Sequence, residues 1–276
     1  MDAFSPPAAA AAPQERSPWR FNWAAGRQML ANVLLPIATV GVLLLVWEFA
    51  VRHYAISSGL LPAPHEVWER LLATWPTLLR QAVPTSVETL LSFFVATFLG
   101  VVLGIVLTYS RLIAASIYPG VVFFQLIPKV ALAPLFVVWF GIGGETRVAF
   151  GVFIAFFPIV VATMAGLRDT PPDMLRLCRG LTATSWQMFV HVRLPFALPQ
   201  IFSGMKIAVT LAMIGVIVAE FISAPAGLGY LIVFASSQAD TALILAAILV
   251  LCVIGLAYYA LVVLGERLAI RIYGAN

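Results

Sequence analysis

The sequence predicts an all-α integral membrane protein, a polytopic bundle of about six transmembrane helices, and three observations lead there. Of 276 residues, 62% are apolar and only 10% charged, against about 25% charged in ordinary soluble domains. Five stretches are apolar over the roughly 20 residues that a helix, rising about 1.5 Å per residue, needs to cross about 30 Å of hydrocarbon. The basic residues fall between these stretches and are biased to one side.

The five stretches are Val33 to Val51, Thr89 to Tyr109, Val148 to Leu167, a run from near Ile207 to near Phe221, and Thr241 to Gly265. Between Leu112 and Gly144 lie 33 further residues, broken by Lys129 and by Pro119, Pro128 and Pro134. They are too many for one straight helix. Either one span with a break or two short spans accounts for them.

Lys and Arg collect in cytoplasmic loops. With six spans and both termini inside, the inner side holds Arg16, Arg20, Arg27, Arg111, Arg168, Arg176, Arg179, Arg193, Lys206, Arg267 and Arg271, against Arg52, Arg70, Arg80, Lys129 and Arg147 outside, 11 to 5. Seven spans give the same count but export the cluster Arg16, Arg20 and Arg27. Six spans, with the chain resident in a membrane and bathed in its lipid, is the preferred reading.

Residues 1–32 read as a cytoplasmic tail ahead of a transmembrane domain at 33–276. The first twenty, rich in Ala and Pro without apolar periodicity, suit disorder. A secretory signal would place its apolar core nearer the start. No catalytic or metal site is indicated: Cys178 and Cys252 have no ligand-spaced neighbours, and His53, His65 and His191 are scattered. The basic residues form no stripe of the kind that binds nucleic acid.

Residues 168–200 form the longest polar segment on the inner side. Two short helices are expected there, the first capped by Thr170 and stopped at Gly180, the second opened by a capping box, Thr184 to Gln187, and ended by Pro195. Leu175, Leu177, Trp186, Phe189 and Val190 give this loop more apolar content than water favours. Either the protein's own helix ends and the lipid interface cover them, or a partner does.

The loop resembles the EAA loop of ABC importer permeases, in which Glu-Ala-Ala, three residues and Gly precede a hydrophobic residue and Leu-Pro. Alignment on Ala183, Trp186, Gln187, Phe189 and Leu194-Pro195 fits the nitrate, sulfonate and taurine branch without a gap. The segments LLPAPHEVW (Leu60 to Trp68), IPKVALAPLFVVWFGIG (Ile127 to Gly143), LPFALPQIFSGMKIA (Leu194 to Ala208), and IGVIVAEF with AGLGYLI (Ile214 to Ile232) also look like that branch. The signature itself departs: Arg176, Leu177 and Cys178 occupy the triplet, and Thr182 the glycine position, leaving Gly180 as a candidate for the turn.

The resemblance implies a permease fed by a periplasmic solute-binding protein and driven by two copies of an ABC ATPase, which hold the ATP and Mg; this chain binds no cofactor. A second permease copy, as a homodimer, is also implied, and Gly100 and Gly104 offer a small-residue seam for it. The coupling residues carried over are Leu175, Arg176, Leu177, Cys178, Gly180, Leu181, Thr182, Ala183, Trp186 and Phe189. No phosphate-binding P-loop occurs in the sequence. A secondary transporter is the competing class, but internal repeats and paired intramembrane charges are not evident.

Gln125, Lys129, Met213 and Glu220 are the pathway candidates, the first two beside a proline-flanked break and able to assist an anionic solute, the last two within the fifth span. Against these stand plainer roles: Lys129 as the outer end of a span, Met213 as gap filling, and Glu220 as an anchor for the loop Pro225 to Gly229. Glu48 and Glu88 are read as snorkelling at outer helix ends.

Overall fold

The computed structural model describes residues 23–273. Most of the predicted tail lies outside them. Helix α1 (Trp23–His53) begins ten residues before the predicted anchor; up to Ala50 it forms a compact unit of its own.

From Val51 onward the second unit contains α2 (Pro64–Ala73), α3 (Trp75–Tyr109), α4 (Arg111–Leu126), a 3-10 turn (Lys129–Leu132), α5 (Ala133–Phe140), α6 (Gly144–Arg168), α7 (Pro172–Gly180), α8 (Ser185–Met188), a π turn (Phe189–Arg193), α9 (Leu194–Ser223), α10 (Leu228–Ser237) and α11 (Thr241–Tyr273). Among the described residues five helices are long and apolar enough to cross a membrane, and α4 with α5, bent by 95°, makes a sixth crossing. Helix α3 has 35 residues and so extends about 50 Å, well beyond the hydrocarbon thickness. Its polar first turns were therefore invisible to an apolar-run criterion.

Central to the bundle is α6. Along α3 it is met at a constant offset: Glu88 pairs with Arg147, Ser92 Oγ donates to the Val148 carbonyl at 3.1 Å, Gly100 faces Ile159, and Gly104 faces Thr163. The two helices are therefore parallel. A chain leaving α3 must return across the membrane once before α6 begins, so residues 111–140 form one broken span. Two short spans would have made α3 and α6 antiparallel.

Small residues set these distances. A Cβ on Gly100 would lie 2.8 Å from Ile159 Cβ, and one on Gly104 would lie 2.6 Å from Thr163 Cβ. This corrects the seam reading: both glycines are spent within the chain's own α3–α6 contact. Against α9, which runs antiparallel, Gly151 meets Gly215, Ala162 meets Gly204, and Ala197 meets Gly166. Because lipid is as apolar as the side chains, such close backbone approach supplies the packing that a hydrophobic effect between spans cannot.

Candidate functional site

Two ends and one midpoint of this bundle carry its polar chemistry. At one end lies the loop between α6 and α9. Thr170 is buried, but its hydroxyl donates back to the Leu167 carbonyl at 3.2 Å, so it closes α6 and does not cap α7; Pro171 holds the N-cap position without a side-chain bond.

Helix α7 ends in a Schellman motif. The Ala183 N–H donates to the Cys178 carbonyl and the Thr182 N–H to the Arg179 carbonyl, both at 3.0 Å. That motif requires a left-handed residue at the position of Thr182, whose φ is +58°. Thr182 thus adopts the conformation for which the resembled pattern has glycine, at a cost of about 1–2 kcal/mol. Gly180 is the last helical residue and does not take over the turn.

The predicted capping box is present: Gln187 N–H donates to Thr184 Oγ1 at 3.2 Å and Thr184 N–H to Gln187 Oε1 at 2.8 Å. The expected end at Pro195 is not. Leu194 keeps helical angles, φ −65° and ψ −48°, and Ser185–Ser223 is one 39-residue helix. In the π turn, Leu194 N–H reaches back five residues to the Phe189 carbonyl. The shifted bonding accommodates a proline without an N–H instead of breaking the rod. The region 168–200 therefore contains the first turns of α9, where Ala197 packs in the core.

None of the predicted loop residues is buried. Leu177 is 57% exposed, Leu181 70% and Trp186 71%; Arg176, Gly180 and Thr182 are exposed, while Leu175, Cys178, Ala183 and Phe189 are half-buried. Phe189 anchors the loop against Tyr109 at the end of α3, edge to face at 6.0 Å, and Arg193 lies over the Tyr109 ring at 5.1 Å. Arg176, at the charge-reversed position, pairs with Asp173 at 3.2 Å on the exposed face.

At the opposite end Glu220 is buried. Its Oε1 accepts from Thr85 Oγ1 at 2.7 Å, and its Oε2 accepts from the Gly229 N–H at 2.7 Å. Thr85 Oγ1 in turn accepts from the Leu228 N–H at 2.9 Å, and Gln81 Oε1 accepts from the Gly227 N–H at 2.8 Å. Glu220 is thus the anchor of the loop before α10, and its placement in an open pathway is corrected. One turn farther along α3, Glu88 receives Arg147 Nε at 2.7 Å and Nη2 at 2.5 Å. It does not snorkel: the two side chains are 12% and 9% exposed. Gln81, Thr85 and Glu88 follow a spacing of four and three, the one sequence signal that could have grouped them on a helix face.

At the midpoint, the Lys129 amine donates to the Gln125 carbonyl at 3.5 Å and sits 5.8 Å from the ring of Phe157. Phe157 is near the middle of α6, so Lys129 lies at mid-depth and does not mark an outer helix end. Gln125 is exposed one residue before the end of α4. Met213 instead fills a gap, since a Cβ on Gly255 of α11 would come 2.8 Å from its Cε. The pathway candidates therefore separate: Gln125 and Lys129 share the break, while Met213 and Glu220 are structural. Among the described residues no cluster of potential metal ligands occurs.

The family of binding-protein-dependent transport system inner membrane components matches residues 96–270, from the middle of α3 into the end of α11. The chain belongs to that family. This inner membrane component is 35% identical to a probable ABC transporter permease protein of Haemophilus influenzae, over 84% of this chain and 94% of that one. It is 32% identical to the formylaminopyrimidine transport permease protein ThiX of Halalkalibacterium halodurans, over 79% and 88%. With the taurine transport system permease protein TauC of Escherichia coli it shares 30% over 87% of both.

An inward-facing structure of the MetNI methionine ABC transporter superposes with a TM-score of 0.52 at 21% identity, covering 67% of this chain and 94% of that one; the likeness extends to the fold. The protein is an ABC importer permease of the nitrate, sulfonate and taurine branch, a multi-pass transport component of the inner membrane.

Proposed function

We propose that the α7–α8 loop is the handle by which a separate ATPase, present in two copies and holding the ATP and Mg, drives this permease, and that the permease acts as a homodimer with both termini in the cytoplasm. The observation that carries this reading is the continuous helix Ser185–Ser223. It connects exposed Trp186, which follows the α7 turn at Leu181, to the Glu220 anchor at the other end. Displacing its loop end tilts the whole rod, which is what rigid-body alternating access requires.

The exposed apolar side chains of the loop give a partner groove something to bury, and Arg176 with Arg179 would meet carboxylates there. A periplasmic binding protein delivers a small solute, organic or anionic, to the opposite face. Relatives carry names for formylaminopyrimidine and taurine transport, and the branch's solutes bear polar groups that Lys129 and the broken backbone at mid-depth would contact. The absence of a P-loop in the sequence supports ATP hydrolysis elsewhere.

Cysteines placed at Leu181 and Thr182 should crosslink to the co-expressed ATPase in a nucleotide-dependent manner. Crosslinking that ignores nucleotide, labelling of the loop from the periplasm, or solute uptake by vesicles lacking the ATPase would each overturn the reading.

A further inference from the structure

One face of α9 is at odds with its surroundings. Ser203, Ile207 and Thr210 are exposed and, with Lys206, Leu211 and Tyr259 of α11, line an open cavity of about 440 Å³. The charge count puts Lys206 with the inner-side cations, yet it is the thirteenth residue of a 30-residue helix. It sits two residues from Gly204, which packs on Ala162 of α6. Its depth is therefore well inside the bundle.

There it is held by Glu266 of α11, Nζ to Oε2 at 2.6 Å, with the two side chains 22% and 16% exposed. The Thr210 hydroxyl donates weakly to the Lys206 carbonyl at 3.4 Å. A lysine, a carboxylate and three hydroxyls facing hydrocarbon would be costly; intramembrane groups of this kind face a bundle interior or water. The cavity also abuts the helix break, since Leu211 on its rim packs in the same cluster as Leu132 and Ala133, which follow Lys129.

We propose that Ser203, Thr210 and Tyr259, together with the Lys206–Glu266 pair, form a water-filled solute-contact wall at mid-depth in the permease. It would take a solute rich in hydrogen-bonding groups, offered hydroxyls by Ser203, Thr210 and Tyr259. Glu266 balances Lys206, so the wall does not hold a passing anion by net charge. A station on a pathway must be left as readily as it is entered, and a neutralised lysine meets that need. The inference rests on the permease reading but assigns residues that the reading does not use.

The test is made on the assembled permease and ATPase complex in proteoliposomes, with Cys178 and Cys252 replaced by Ala and either Ser203→Cys or Thr210→Cys introduced. Methanethiosulfonate reagents of opposite charge, neither able to enter lipid, are the probes. Both should react at both positions, and adding Glu266→Gln should raise the rate of the anionic reagent relative to the cationic one by about tenfold.

Labelling by lipid-soluble N-ethylmaleimide alone would overturn the wall, as would a rate ratio unchanged by Glu266→Gln. ATPase activity stimulated by the binding protein, measured on the same complexes, separates this from the parent reading. If stimulation persists while the charged reagents fail, the wall alone is lost; a wild-type complex without stimulation would instead sink the proposed function.

Discussion

Glu220 and Thr85, 135 residues apart in sequence, share one short hydrogen bond of 2.7 Å in the interior. Through it α3, α9 and the loop before α10 become one unit, because the same hydroxyl oxygen and the same carboxylate also receive the N–H groups of Leu228 and Gly229. Hydrogen bonds to charged groups contribute about 1.5–3 kcal/mol, and a buried donor left unpaired costs about as much. Glu220→Ala should therefore lower stability by at least about 2 kcal/mol and Thr85→Val by somewhat less, read as a lower Tm of the detergent-purified protein.

Gly227 is required by the same anchor. Its φ of +121° is closed to other residues, and a Cβ there would come within 2.1 Å of Glu220 Oε1. Gly227→Ala should cost about 3 kcal/mol or more and sharply reduce the yield of folded protein. Gly143→Ala, with nothing within 4 Å of its Cβ, is the control and should leave the yield unchanged.

Thr182 predicts a gain. Replacing it with glycine relieves the left-handed strain and should stabilise the end of α7 by about 1 kcal/mol. Amide exchange at position 182 and at Ala183 should then slow by about fivefold. Unchanged exchange would mean that the Schellman turn carries no strain.

The Glu88–Arg147 pair is nearly enclosed, so removing one partner leaves an uncompensated charge. Arg147→Met alone should cost about 3–5 kcal/mol, while Glu88→Leu with Arg147→Met should recover most of it, because an apolar pair avoids the desolvation that the ions incur. A thermal-shift double-mutant cycle measures the difference.

Gly104→Val should cost about 1–3 kcal/mol by overpacking Thr163. The loss should appear in the isolated chain, since the contact is internal.

Much of this was legible in the primary structure. Composition and apolar run length are additive along the chain, so the membrane class, five spans and the need for something unusual at residues 112–144 could be read directly. The Thr184 capping box is equally local and was found where it stands. Pro195 misled because a proline's effect on a helix depends on the bonding of the preceding turn, and a π turn there keeps the rod intact.

What no linear reading could supply was partnership across the bundle. The parallel run of α3 and α6 decided that residues 111–140 cross once. The same packing consumed Gly100 and Gly104 internally and turned Glu88 toward Arg147, while the contacts that α9 and the helix break make with α6 placed Lys206 and Lys129 at mid-depth. Which segments leave water follows from the order of residues alone, since transfer free energy sums over neighbouring residues. Which polar groups go with them was settled in three dimensions, since that depends on a partner from another helix arriving within hydrogen-bond reach.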